Sequence, residues 1–196
     1  RAQTFSPIII ASVFATALSR SYLGNEPAFK ISAYALVSNY ELIFYIGLGL
    51  LAGIVSVYFV KVFYWISDIF NKLKQVSPII KPAIGGLMVG ILGVYLPGLY
   101  GFSYVTIDPG TSSTVLWVFL GILILKPVAT AATIGSGGNG GTFAPSLVTG
   151  AMLGGLFGYF VNYFFPEISA PAGAYAMVGM AGVVAGTTNA SLTALI

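Results

Sequence analysis

Apolar residues run in long blocks along this chain, and short polar or Gly/Pro-rich breaks separate them. The block Leu42 to Val60, LIFYIGLGLLAGIVSVYFV, carries no charge. At about 1.5 Å of rise per residue, a helix over it reaches roughly 28 Å, close to the thickness of bilayer hydrocarbon. Thr114 to Thr133 holds one charged residue, a lysine, and Ser146 to Phe165 holds none. The pattern predicts helices over Ile8 to Ser19, Tyr40 to about Phe70, about Ile80 to Leu96, Thr114 to Ala132, Phe143 to Phe165, and onward from near Ala174. The breaks carry turn chemistry: LGNEPAFKIS, NKLKQVSP, PGLYGFSYVTIDPGTSS (with room for a short helical turn) and PEISAPAG. Pro127, inside the fourth block, is expected to kink its helix.

Composition turns these helices into membrane helices. The chain is 57% hydrophobic and 7% charged, whereas a soluble domain carries about 25% charged residues. It cannot cover itself with a polar surface. The expected fold class is an all-α polytopic membrane protein, with residues 1–196 forming a single transmembrane domain. The chain opens on Arg1 and closes inside the apolar run SLTALI, so this domain is expected to be partial at both ends. Glycines at close spacing (Gly47, Gly49, Gly53; Gly86, Gly90, Gly93; Gly150, Gly154, Gly158) are expected to let helix backbones approach each other in lipid.

Charge and residue inventory exclude several functions. A net charge of +3 without a basic stripe argues against nucleic acid as a partner. With no cysteine there is no disulfide or thiolate metal site, and no metal or cofactor is expected. With no histidine, Ser136 has no imidazole base in this chain, so an intramembrane serine hydrolase is disfavoured and the protein is not expected to be an enzyme.

One stretch breaks the apolar pattern without adding charge: TIGSGGNGGTFAPSL, Thr133 to Leu147. Non-helical backbone survives in hydrocarbon only where protein buries it or where it lines a cavity. Pro145 falls in the first turn of the helix that follows, where a missing N–H costs nothing. The first N–H groups of that helix lack intrahelical partners and carry the positive end of its dipole. Two readings are open here: an anion site at membrane depth, or a helix–helix turn at the membrane surface. A nucleotide phosphate loop is disfavoured, because no Lys-Ser/Thr pair follows the glycines.

The residues GSGGNGGTFAPSLVTGAMLGG resemble the G-x-F-x-P signature of the CLC family of chloride channels and proton-coupled chloride transporters, with Gly141, Phe143 and Pro145 in its fixed positions. AMVGMAGVVAGTTNASLTALI resembles that family's succeeding helices, and looser agreement covers the rest of the chain. The resemblance implies an inverted-repeat bundle of tilted and partial helices, this chain covering the end of the first half and most of the second. It implies a homodimer in a cell inner or plasma membrane, with chloride as the transported ligand. Backbone amides of Thr142 and Phe143, beside Gly141, would help bind the anion. The family's G-S-G-I-P and G-K/R-E-G-P motifs and its late pore tyrosine are absent from these residues. Near the C-terminus, Asn189 and Ser191 stand where the family commonly shows a proline-containing turn.

Glu26, in GNEPAF, has two readings. It matches, with a one-residue shift, a glutamate that feeds protons in proton-coupled members of that family; otherwise it is an interfacial, solvated carboxylate. Glu41, Asp68, Asp108 and Glu167 flank helix ends and read as solvated. Lys72, Lys74 and Lys81 cluster in one break, which the positive-inside tendency would place in the cytoplasm and the resemblance on the outer side. Three functions therefore remain in view: proton-coupled chloride antiport, passive voltage-gated-type chloride conduction, and a truncated fragment that transports nothing.

Overall fold

The computed structural model describes residues 5–24, 40–100 and 113–188. These form α1 (Phe5–Leu23), α2 (Glu41–Lys72), α3 (Lys81–Tyr95), a 3-10 turn (Pro97–Leu99), α4 (Ser113–Gly135), α5 (Phe143–Phe164) and α6 (Ala172–Thr188). The helices fall where the apolar blocks lie, with ends shifted by a few residues. The chain divides into two compact units, residues 1–32 and 33–196. The first contains α1, which ends on Gly24 at a φ of 87°. The second contains α2 to α6.

By length and composition α2, the Leu116–Gly135 part of α4, and α5 are long and apolar enough to cross a membrane, while α3 and α6 are shorter apolar helices. Three apolar clusters join them. Leu48, Leu153, Tyr175 and Val183 pack α2, α5 and α6 together. Leu99, Phe119, Ile122, Val148 and Met152 join the 3-10 turn, α4 and α5. Ile66, Phe70 and Ala131 close α2 on α4. Their opposite faces are also apolar: Leu50, Ile54, Trp65 and Trp117 are all exposed. Lipid suits such a surface better than water.

Polar side chains inside the bundle serve the backbone. Ser56 Oγ donates to Ala52 O at 2.7 Å and lies 3.2 Å from Val183 O, so it ties α2 to α6. Pro127 does not divide α4, which stays one helix through it. Near it, Tyr58 of α2 donates its hydroxyl to Ile124 O at 3.0 Å and Thr130 Oγ1 donates to Lys126 O at 2.8 Å. These hydroxyls add bonds to carbonyls on either side of Pro127, whereas the carbonyl its missing N–H would have served is that of Leu123, four residues back. Glu41 departs from expectation. It is fully buried in the first turn of α2 and accepts a hydrogen bond from the Tyr45 hydroxyl one turn on. Asp68 and Glu167 are exposed, as the sequence suggests.

The glycines divide into two sets. On α5, a Cβ added at Gly150 would meet Met180 Cα at 2.7 Å, and one at Gly154 would meet Ala176 Cα at 2.7 Å. There the backbones of α5 and α6 touch, and a methyl group does not fit. At Gly49, Gly53, Gly86 and Gly90 nothing described lies within 4 Å. The expected contact of helix backbones thus holds for the α5 run, while in the other two runs Gly93 is crowded instead by the Tyr100 side chain. Gly154→Ala should therefore force α5 from α6 and lower the thermal midpoint of the full-length protein in detergent, by roughly 1–3 kcal/mol of stability. Gly53→Ala should leave it unchanged or raise it, since alanine gains up to about 1 kcal/mol in a helix. Equal effects from the two substitutions would contradict the packing described.

Candidate functional site

The break after α4 begins as a defined helix stop. Gly138 N–H donates to Thr133 O and Gly137 N–H to Ile134 O, each at 3.0 Å. This pair of bonds is the Schellman termination, which needs a left-handed residue between helix and exit. Gly137 supplies it with a φ of 100°. A Cβ at Gly138 would lie 2.6 Å from Thr133 O. Two of the glycines are therefore spent on ending α4. Gly141 is different, since nothing lies within 4 Å of where its Cβ would be.

The stop is wedged among its neighbours. Ser136 is buried. A Cβ at Gly85 of α3 would meet Ser136 Cβ at 2.7 Å, and one at Gly135 would meet Ser67 Oγ of α2 at 2.9 Å. Ser67 lies five residues before Lys72, about 8 Å along the helix. The break therefore packs near the end of α2 that leads into Lys72, Lys74 and Lys81.

α5 then starts without a cap. Thr142 is a capping residue type, yet it holds helical angles (φ −91°, ψ −16°) and its side chain makes no cap bond. The first backbone bond of the helix runs from Ser146 N–H to Thr142 O at 3.1 Å. Pro145 has no N–H to give. Among the described residues, no acceptor faces the N–H groups of Gly141, Thr142, Phe143 or Ala144. Side chains brace the turn from the other side: Ser146 Oγ donates to Phe143 O at 2.7 Å and Thr149 Oγ1 to Pro145 O at 2.8 Å. An uncapped start presents about half a positive charge to whatever approaches.

The expected site residues are only partly brought together. Gly141, with Gly140 and Pro145, lines a cavity of about 200 Å³. Thr142 and Phe143 are not part of that lining; Thr142 is half-buried and Phe143 is 50% exposed. Glu26 lies outside the described residues. A residue that motif reading passed over does line the cavity: Lys126, buried in α4, whose Nζ donates to Leu99 O at 2.6 Å. Its signal was a lone charge in an apolar block, since an ionisable residue within a span is a functional candidate by default.

Comparison with known proteins agrees with this arrangement of apolar helices. The family model described as "Voltage gated chloride channel" matches residues 1–196. Chloride channel protein CLC-f of Arabidopsis thaliana is 37% identical over 98% of this chain and 27% of its own length. Chloride channel protein CLC-e of the same plant is 32% identical over 98% of this chain and 30% of its own. Voltage-gated ClC-type chloride channel ClcB of Escherichia coli is 30% identical over 96% of this chain and 46% of its own. The chain spans less than half the length of each of these relatives.

The two roles of the glycines can be separated by substitution. Gly137→Ala places a Cβ in a left-handed conformation and should cost about 1–2 kcal/mol, read as a fall in the thermal midpoint of the full-length protein. Gly141→Ala should leave that midpoint nearly unchanged.

Proposed function

Because this chain belongs to the voltage gated chloride channel family, we propose that it forms part of a chloride pathway across a membrane and that Gly141, Thr142 and Phe143 face the anion there. The observation that carries this reading is the start of α5: a helix N-terminus that its own capping residue leaves open, beside a cavity that Gly141 lines. Backbone donors suit a transported ion. They attract an anion without a full unit charge, and transport needs binding weak enough to release. The names of the relatives, chloride channels in a plant and a bacterium, support chloride as cargo. The protein works as a homodimer on this reading, each subunit holding its own pathway. A second reading of the same break, a plain turn at the membrane surface, draws on its place near the lysine-bearing end of α2.

One atom separates the two readings. In the full-length protein, an amide-to-ester exchange at Phe143 removes the N–H and keeps the side chain, while Phe143→Ala does the reverse. Chloride flux from liposomes is measured against chloride concentration. The ester should raise the half-saturating concentration roughly ten- to a hundredfold, the scale of one hydrogen bond to a charged group. Phe143→Ala should shift it far less. An ester that behaves as wild type would leave the break as a structural turn. The same vesicles report coupling, where the finer reading of proton exchange rests on Glu26. Exchange gives proton movement against chloride that Glu26→Gln abolishes while chloride still flows; passive conduction gives chloride flux with no coupled protons.

A further inference from the structure

We propose that the turn joining α2 to α3 holds the headgroup of an anionic phospholipid, with Lys72 and Lys74 as the charges that meet its phosphate. α2 sets the depth. Its 32 residues run roughly 48 Å at about 1.5 Å each, and a tilt of about 20°, usual for membrane helices, leaves roughly 45 Å. That is the whole thickness of a bilayer with its headgroups, about 40–45 Å. Each end of α2 therefore reaches a membrane surface, and Lys72, its last residue, comes to lie among headgroups. Trp65 is exposed on the same face of the helix, two turns earlier. At about 10 Å below Lys72 it falls where the aromatic belts of membrane proteins lie.

The turn itself is short and folded. Ile80 N–H donates to Ser77 O at 2.9 Å, and Lys81 N–H to the same carbonyl at 3.3 Å. The Lys81 ammonium reaches back to Phe70 O at 2.9 Å and ties the start of α3 to the end of α2. Lys81 therefore serves the fold. Lys72 and Lys74 differ: both are exposed, and among the described residues no hydrogen bond or ion pair engages either side chain. Asp68, one turn back from Lys72, is likewise exposed and unengaged, and it opposes an anion there. Beside the lysines the turn bares two large apolar side chains, Ile79 at 87% exposure and Ile80 at 53%. In water such a pair is unfavourable. At the headgroup boundary the isoleucines enter the acyl chains while the lysine heads stay in the phosphate layer. A soluble phosphate would use the lysines and leave the isoleucines wet; a lipid uses both. This inference stands whatever ion the protein carries, and under either reading of the glycine break.

The test follows Trp65 fluorescence in the full-length protein, with every other tryptophan replaced by phenylalanine, reconstituted in liposomes. Quenching by brominated phosphatidylglycerol and by brominated phosphatidylcholine gives the relative association of the two lipids beside Lys72. The unaltered turn should favour the anionic lipid about threefold to tenfold, the scale of two exposed charge pairs. Lys72→Gln together with Lys74→Gln should bring the ratio close to one. Asp68→Asn removes the opposing carboxylate and should raise the ratio about twofold. Equal quenching by the two lipids at the unaltered turn would overturn the proposal, as would a ratio that the lysine substitutions leave unmoved. Trp65 quenched by neither lipid would overturn it too, since another part of the protein then covers this face. Loss of the preference on adding inorganic phosphate would assign the lysines to a soluble anion instead. Should the tryptophan replacements prevent folding, native mass spectrometry of the otherwise unaltered protein asks the same question. The double lysine variant should then retain fewer phosphatidylglycerol molecules than wild type, and equal retention would sink the idea.

Discussion

Inside a bilayer no water relieves an unpaired backbone group, so the protein itself must close every helix end. Most of the described ends obey. Lys81 reaches back to the C-terminus of α2 and donates to Phe70 O at 2.9 Å. α4 is closed by the paired bonds from Gly137 and Gly138. Even the carbonyl of Ile124, near Pro127, takes a hydroxyl from Tyr58. Against this background the start of α5 stands apart, because Thr142 has the chemistry to cap and does not. The starts of α2 and α3 also lack a side-chain cap, but Tyr40 and Ile80 are not capping residue types; at α5 a capping type is present and unused, which suits a transient partner.

The open end is held in place by packing at the far side of the same helix. Gly150 and Gly154 bring α5 against the backbone of α6, and Val148 and Met152 seat it on α4. The direction in which its first N–H groups point is therefore set by helix–helix contact, not by the loop before it. This division of labour lets the break carry little side chain and still present donors at a fixed position.

Helix positions were legible because an apolar block of given length has one plausible fate in lipid. The second, third and fifth helices match their blocks to within a residue or two. The glycines were less legible, since one letter covers unlike needs: a positive φ at Gly137, a backbone contact at Gly154, and bare helix surface at Gly53. Glu41 shows a limit of another kind. Its position at a helix end suggests solvent, yet the fold buries it beside Tyr45, and no local pattern encodes a neighbour from tertiary packing. Lys126 was visible as a charge out of place, but the carbonyl it reaches, Leu99 O, is brought to it only by the fold.

The wedging of Gly135 and Ser136 between α2 and α3 bears on how this region can vary. Surface connections absorb insertions easily because their backbone touches little. Here the exit from α4 is gripped by Gly85 and Ser67, its dihedral angles are set at Gly137, and Gly140 abuts the Ile134 side chain. One added residue would have to rotate or shift α5 against the tight seam it shares with α6. The length of this segment is thus as constrained as its composition, whereas the exposed stretch between α2 and α3 is free to lengthen.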